Sequence, residues 1–421
     1  MEWKEYKLSD VCEILDFKRI PLSALQRAKR QGQYPYYGAQ GIIDYLDDYI
    51  FDGEYLLVAE DGANLETRTQ PIANLVKGKI WVNNHAHILG SNGVCPLNVL
   101  GFLLNNMNIS AFVTGCAQPK LNQENLKSIP IKIPKNIDKI SAILASLDRK
   151  IELNNKINAQ LEEMAQAIFK NWFVDFEPFK DGKFVESELG MIPERWRVGS
   201  LTEIADYMNG LAMQKFPAQE GEQSLPVLKI KDLGQGFCDS SSDRCSTNIR
   251  EEYVIMDGDV IFSWSGTLLV DVWCGGKCGL NQHLFKVTSK DYPKWFYYYW
   301  TKQHLANFIH IAQDKAVTMG HIKRGHLENA LVVLPDSSVL ERASKLIAPM
   351  LNQQIARRIE NRNLAQLRDT LLPKLMSGEI ELGPSEEEQL KIIDEMFAGL
   401  QSAEPINVEG EPIPSLSKLA K

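Results

Sequence analysis

The residues best suited to chemistry in this chain are cations and amides clustered in loop-like stretches. Between Phe17 and Gly38 (FKRIPLSALQRAKRQGQYPYYG) lie Lys18, Arg19, Arg27, Lys29 and Arg30, with no acidic residue among them and Tyr34, Tyr36 and Tyr37 interleaved. Such cations neutralise phosphates and release condensed counterions. Arginine can also pair with a guanine edge through two hydrogen bonds, and asparagine or glutamine with adenine. A solvated basic loop would look the same in sequence. A second stretch, Thr114 to Leu126 (TGCAQPKLNQENL), carries Gln118, Lys120, Asn122 and Gln123. A third, Asp314 to Leu327 (DKAVTMGHIKRGHL), carries Lys315, Thr318, His321, Lys323, Arg324 and His326. The last two precede corresponding apolar runs in the two halves of the chain, which favours a shared role, although each histidine taken singly could be an ordinary surface residue.

Catalytic patterns are missing. There is no GxxxxGK[ST] phosphate loop, no GxGxxG, no HExxH and no Gly-x-Ser-x-Gly elbow. The Asn/Asp-Pro-Pro-aromatic tetrad that would hold a flipped base for methylation is also missing. Asp257, Asp259 and Asp271 have no lysine at a nuclease-like spacing. The seven cysteines are scattered; Cys274 and Cys278, with His283 beyond and Cys238 and Cys245 before, lack a second tight pair. Reduced, buried thiols explain them better than zinc. The expectation is a chain with no catalytic residues and no metal, which binds something instead.

The elements that would position these loops come from a diverged repeat, offset by about 200 residues. Trp3 to Leu8 (WKEYKL) answers Trp196 to Leu201 (WRVGSL), and Asn83-Asn84-His85 answers Asn281-Gln282-His283. Leu126 to Pro134 (LKSIPIKIP) answers Leu327 to Pro335 (LENALVVLP). Short apolar runs such as YLLVA (Tyr55 to Ala59) and DVIFSW (Asp259 to Trp264) read as buried strands between Gly and Asn punctuation. Each half is therefore a mixed α/β (α+β) globule followed by a long helix.

The first helix is expected over residues 137–173, with Ile140, Leu144, Leu147, Ile151, Leu161, Ala165, Ile168 and Trp172 stepping by threes and fours and Asn154 and Asn158 as polar breaks in the seam. At ~1.5 Å per residue it would span about 55 Å. The second runs from about Val339 to Met376, with Pro349 and Pro373 expected to kink or interrupt it. An antiparallel coiled coil of the two, in a pseudo-twofold plan, would separate the globules. The boundaries read as 1–136 and 195–336 for the globules, 137–176 and 337–380 for the helices, 177–194 for a linker and 381–421 for an acidic tail. Phe169, Trp172 and Phe173 either contact partner proteins or fill the seam between helices.

Net charge is −8, yet the tail holds nine acidic residues against three lysines, so the body carries only −2. Local basic patches are compatible with that balance. No apolar run approaches the about 18 residues of a membrane span, and the charged N-terminus MEWKEYKLSD has no signal-peptide core. A cytoplasmic protein without membrane contact is expected.

Three strings resemble a known family. KIELNNKINAQLEEMAQAIFKNWFVDFEPF (Lys150 to Phe179) is similar to the central shared region of type I restriction–modification specificity subunits. SELGMIPERWRVGSL (Ser187 to Leu201) resembles the start of their second target-recognition domain, and LRDTLLPKLMSGEI (Leu367 to Ile380) their C-terminal shared region. The resemblance implies two target-recognition domains that read a bipartite, asymmetric site in double-stranded DNA. It implies helices that act as a ruler and dock methyltransferase subunits, two in number, with motor/nuclease restriction subunits completing the assembly. S-adenosylmethionine, ATP and magnesium would then belong to those partners and not to this chain. The Lys18 to Arg30 segment, the Gln118 to Asn122 loop and the Lys315 to Arg324 loop would contact DNA, at half-sites about one duplex turn apart. The alternatives are a stand-alone DNA-cleaving or DNA-modifying enzyme with split specificity, or a scaffold with no DNA role.

Overall fold

The structure is a computed structural model that describes residues 3–115, 118–314, 320–377 and 379–380. The acidic tail and Lys315 lie outside the described residues. The chain divides into two compact units: Met1–Arg149 with the last helix from Ala365, and Lys150–Leu364. No helix among the described residues is long and apolar enough to cross a membrane.

In the first unit a six-stranded sheet has the order Cys12–Ile14, Ala86–Ser91, Phe51–Ala59, Ala73–Val82, Gln31–Gly38, Gly41–Leu46. Leu56, Leu57, Val58 and Ala59 are all buried, which is why this strand reads as an unbroken apolar run and not as an alternation. A separate ladder joins the first described strand, Trp3–Lys7, to Pro130–Pro134, with Tyr6 opposite Ile131. The long helix Ile137–Phe173 begins three residues later.

The second unit repeats the plan. Its four-stranded sheet runs Asp206–Asn209, Leu284–Thr288, Val260–Ser263, Leu269–Val272, matching the first four strands of the other unit in order. Arg197–Ser200 pairs with Leu331–Leu334 as Trp3–Lys7 pairs with Pro130–Pro134. Even the hydrogen bond behind that ladder recurs: Leu8 N to Ile129 O at 2.8 Å, and Leu201 N to Ala330 O at 3.0 Å. The strands beyond differ. Here Ser224–Leu228 lies in a second sheet between Arg244–Ser246 and Cys278–Leu280.

Within this unit, residues of the first long helix run antiparallel to those of the second, Ser337–Ser377. Asn154 is fully buried and donates from Nδ2 to Glu360 Oε2 (2.7 Å) and Asn361 Oδ1 (2.8 Å), while Asn158 reaches Gln354 O. The helix Ser337–Ser377 is continuous through Pro349 and Pro373, so of the kink or interruption expected there, the interruption does not occur. A helical proline costs about 3 kcal/mol. Burial of Ile347, Leu351, Leu371, Leu372 and Leu375 offsets it, each side chain contributing about 1.5–3 kcal/mol.

The segment 177–194 is also more ordered than a linker. It forms a turn at Glu177–Phe179 and a hairpin of Phe184–Ser187 with Gly190–Pro193. Its Pro, Gly and charges masked two aromatics that hold it together with the neighbouring Phe176. Phe179 and Phe176 pack edge-on against Trp196 (4.9 and 5.7 Å), and Phe184 packs on Phe176.

Two arginines one helical turn apart clamp the second long helix to its lobe. Arg358 grips Asp271 with both nitrogens (2.9 and 2.7 Å), and Arg362 grips Asp257 (2.8 and 2.8 Å) and Cys274 O. Burial works against the Arg358 charge, but Cys274, Asp271 and Tyr298 outweigh it and raise its pKa. We expect Arg358→Ala to cost about 2 kcal/mol of stability, a charged hydrogen-bonded pair being worth ~1.5–3 kcal/mol. A double-mutant cycle with Asp271→Ala, read by denaturant midpoint, should give a coupling near that value; simple additivity would refute the clamp.

Candidate nucleic-acid interface

The basic segment of the first lobe splits into engaged and outward-facing cations. Arg19 is largely buried, donating to Glu60 Oε2 (2.7 Å) and Ala86 O (2.9 Å) and lying 3.4 Å from Asp16. Arg27 binds Asp44 (2.9 Å) and lies over the Tyr36 ring, and Arg30 binds Asp47 (2.9 Å) over Trp81. These three arginines hold the fold and are not free base readers. The segment contains no acid, but folding brings acids from other strands to it. Lys18 and Lys29 are exposed, and Gln118 and Lys120 are exposed on the second loop, with Lys120 Nζ 3.4 Å from Glu60. Asn122 is committed as the N-cap of helix Gln123–Ser128, accepting from Asn125 N at 2.8 Å.

The loops that the repeat pairs do meet at equivalent corners. In the first lobe Leu121 N donates to Glu60 O (2.8 Å) and Gly62 N to Pro119 O (3.1 Å), with Asp61 bridged to Lys120. In the second, Ile322 N donates to Trp264 O (3.0 Å) and Gly266 N to Gly320 O (2.9 Å), with Ser265 bridged to His321. An Asn-x-His turn closes each corner: Asn83 Oδ1 accepts from His85 N (2.8 Å) and Asn281 Oδ1 from His283 N (3.3 Å). His85 Nδ1 then lies 2.7 Å from Asp61 Oδ2, and His283 Nδ1 lies 3.2 Å from Ser265 Oγ. Lys323, at the N-cap of Arg324–Glu328, takes the place of Asn122, and Lys323 and Arg324 are exposed beside His321. Sequence reasoning missed Asp61, His85, Trp264, Ser265 and His283. The paired Asn-x-His tripeptides were the signal for the two histidines, but they were read as a mark of the repeat, and His283 otherwise only as a candidate zinc ligand.

Behind the corners the lobes are unlike. In the first, His87 is fully buried and lies between Asp16 Oδ2 (2.6 Å) and Leu121 O (2.7 Å). Burial pushes the Asp16 carboxyl up, but the hydrogen bond and charge of His87, the Ile88 N–H and Arg19 outweigh it and lower its pKa. Asp16, Glu60 and His87 offer ligand atoms within 4.8 Å of one another, yet each is already bonded to another protein group. In the second lobe the corresponding space holds Trp264 and Phe285, with rings 5.8 Å apart, and Trp264 Nε1 donates to Asn209 (3.1 Å). The carboxylates weighed for nuclease chemistry are paired: Asp257 and Asp271 with the clamp arginines, Asp259 with Lys286 at 2.9 Å. Cys274 is buried, with its thiol pushed up to about 12 chiefly by desolvation.

Phe169 and Phe173 are buried against Tyr299, Trp300, Trp196 and Trp295, and Trp172 packs on Phe179 under Arg342. Phe169 and Phe173 are core and Trp172 is partly buried against it, so of the two readings, partner contact and helix seam, burial speaks against the partner contact, although the cluster is spent on the lobe that follows and not on the seam.

Two related α/β lobes, each presenting a histidine-centred polar corner beside exposed cations, define a repeat protein built for recognition. The chain belongs to the family of the type I restriction modification DNA specificity domain, whose model matches residues 1–163 and 193–368. It is 27% identical over 416 residues to the type I restriction enzyme MjaIX specificity subunit of Methanocaldococcus jannaschii, covering 90% of this chain and 94% of that one. It is 22% identical over 480 residues to the HindI specificity subunit of Haemophilus influenzae, covering 90% and 100%. The fold is shared with the S subunit of a type I system from M. genitalium (TM-score 0.53, 14% identity, covering 89% and 96%). The chain is thus a DNA-specificity subunit and not a catalytic one.

Because the Asp16 pKa is lowered in the folded state, its contribution to stability is complete above the ordinary value near 3.9 and is lost as pH falls from there through the folded value. Asp16→Asn should remove that part of the acid-limb loss. Denaturant midpoints measured between pH 5 and about 2 test this; an unchanged slope in the variant would show that the pair carries no linkage.

Proposed function

We propose that this chain recognises a double-stranded DNA site in two unlike halves and directs methyltransferase and motor/nuclease subunits to it. The observation that carries this reading is the pair of corners: one backbone arrangement, with Asp61, His85 and Lys120 in one lobe replaced by Ser265, His283 and His321 in the other. A carboxylate accepts from cytosine N4 and a lysine donates to guanine, whereas a serine hydroxyl pairs with several bases, so the two corners offer different base contacts. Lys18, Lys29, Lys120, Lys323 and Arg324 are the exposed cations placed to meet phosphates. S-adenosylmethionine, ATP and magnesium would be bound by the partners. The work would be cytoplasmic, where DNA is found and thiols stay reduced.

For the methyltransferase subunits, two in number, the supporting feature is a stripe on the first long helix. Leu153 and Met164 are exposed, and Ile157, Leu161 and Ile168 half-buried, at spacings of three and four. This stripe replaces Phe169 and Phe173 as the docking surface. The stand-alone enzyme has no observation in its favour.

Lys323→Ala with Arg324→Ala should weaken DNA binding by the assembled complex and lower the slope of log affinity against log salt by about 2, near 0.9 per phosphate contact. An unchanged slope removes that loop from the interface. Inserting one turn in each long helix should lengthen the unread spacer of the methylated sequence. Methylation mapping that returns the original spacer would end the ruler reading.

A further inference from the structure

One difference between the repeats is unexplained by the corners themselves. In both lobes a strand runs parallel to the one that leads into the Asn-x-His turn: Tyr37 opposite Val82, and Leu228 opposite Leu280. In both, its carbonyl accepts from the turn's first amide, Asn83 N to Tyr37 O at 3.0 Å and Asn281 N to Leu228 O at 3.3 Å. Tyr37 and Leu228 are therefore equivalent. After Tyr37 the first lobe turns back at once, Gly38 pairing with Gly41, whose φ of 133° suits glycine alone. After Leu228 the second lobe inserts Lys229 to Asp243, including the helix Ile230–Gln235, before Arg244 returns to the sheet opposite Pro226.

The insertion builds a groove of about 680 Å³ against the Asn281–His283 turn. Its polar lining includes Lys229, Lys231, Arg244, Gln214, Gln282 and His283, and Asp243 is its one carboxylate. Lys229 pairs with Asp243, and Lys231 lies 3.5 Å from Asp239 and 3.2 Å from Ser241. Both lysines are about half exposed (45% and 62%), and ion pairs so exposed contribute little, so a phosphate can displace the acids at small cost. With Asp239 beside Lys231 counted as well as Asp243, three cations face two carboxylates, which leaves the groove with a small net positive charge. Gln282 and His283 stand at the corner end, with Gln282 Nε2 3.3 Å from His283 Nε2.

We infer that this groove is the second lobe's strand-binding site: Lys229, Lys231 and Arg244 take backbone phosphates of duplex DNA, and Gln214, Gln282 and His283 read base edges of the second half-site. The inference rests on the DNA-reading function and deepens it by naming residues and dividing their roles. Phosphate contacts position and base contacts specify, so the two kinds of variant must fail differently.

The test uses the chain assembled with its methyltransferase subunits, with fluorescent duplexes containing the methylated site or a random sequence. Lys231→Ala, at an exposed position, should weaken binding to both duplexes by similar factors and lower the salt slope by about 0.9. Gln282→Ala should leave that slope and random-duplex affinity unchanged, and relax preference at one base pair of the second half-site by on the order of tenfold. Thermal melts of both variants confirm folding. A wild-type complex with no sequence preference would sink the DNA-reading function itself. A selective wild type whose Lys231→Ala or Gln282→Ala variant behaves identically to it would overturn the groove assignment alone.

Discussion

Asn154 has no exposed surface, and an amide buried without partners costs about 1–3 kcal/mol. In the observed register Glu360 and Asn361 both accept from its Nδ2. Asn361 also donates to Asn155 at 2.8 Å, so a slip of one residue would break several bonds at once. Leucine there would bury more comfortably but would accept neighbouring registers. The register then determines which residues of the second helix meet the lobe: with Asn154 opposite Asn361, Arg358 and Arg362 reach Asp271 and Asp257. Helix alignment and lobe attachment thus follow from one buried amide and two bidentate arginines.

The lobes keep their backbone and change their side chains. The hydrogen bonds that close each corner are backbone bonds or are accepted by the shared asparagine, so the same set recurs in both lobes. The positions around them are released from folding duty. That is how a buried Asp16–His87 pair in one lobe can be a Trp264–Phe285 contact in the other. The interior must still be satisfied: His87 has an acceptor at each ring nitrogen, and Trp264 has Asn209 for its indole N–H.

The repeat, both long helices, the strands in Tyr55–Ala59 and Asp259–Trp264 and the paired loops were legible in the sequence because apolar spacing is a local signal. What was not legible is long-range pairing. Arg19, Arg27 and Arg30 looked like phosphate ligands until Glu60, Asp44 and Asp47 arrived from distant strands. Phe169 and Phe173 read either as partner contacts or as helix seam, and Tyr299 and Trp295, far away in sequence, are what cover them. The groove beside Asn281 escaped notice because its cations come from two separate segments, Lys229–Lys231 and Arg244, which only the fold brings to the Asn281–His283 turn. The prolines of the second helix misled because local propensity was outweighed by burial.

The ladders that open and close each lobe have an evolutionary reading. Trp3 lies opposite Pro134, and Arg197 opposite Leu334, so the two ends of each lobe sit side by side. A module whose termini adjoin can be exchanged for another with the same terminal ladder while the helices stay as they are. Recombination at such junctions would exchange one whole lobe in a single event and leave the helices untouched.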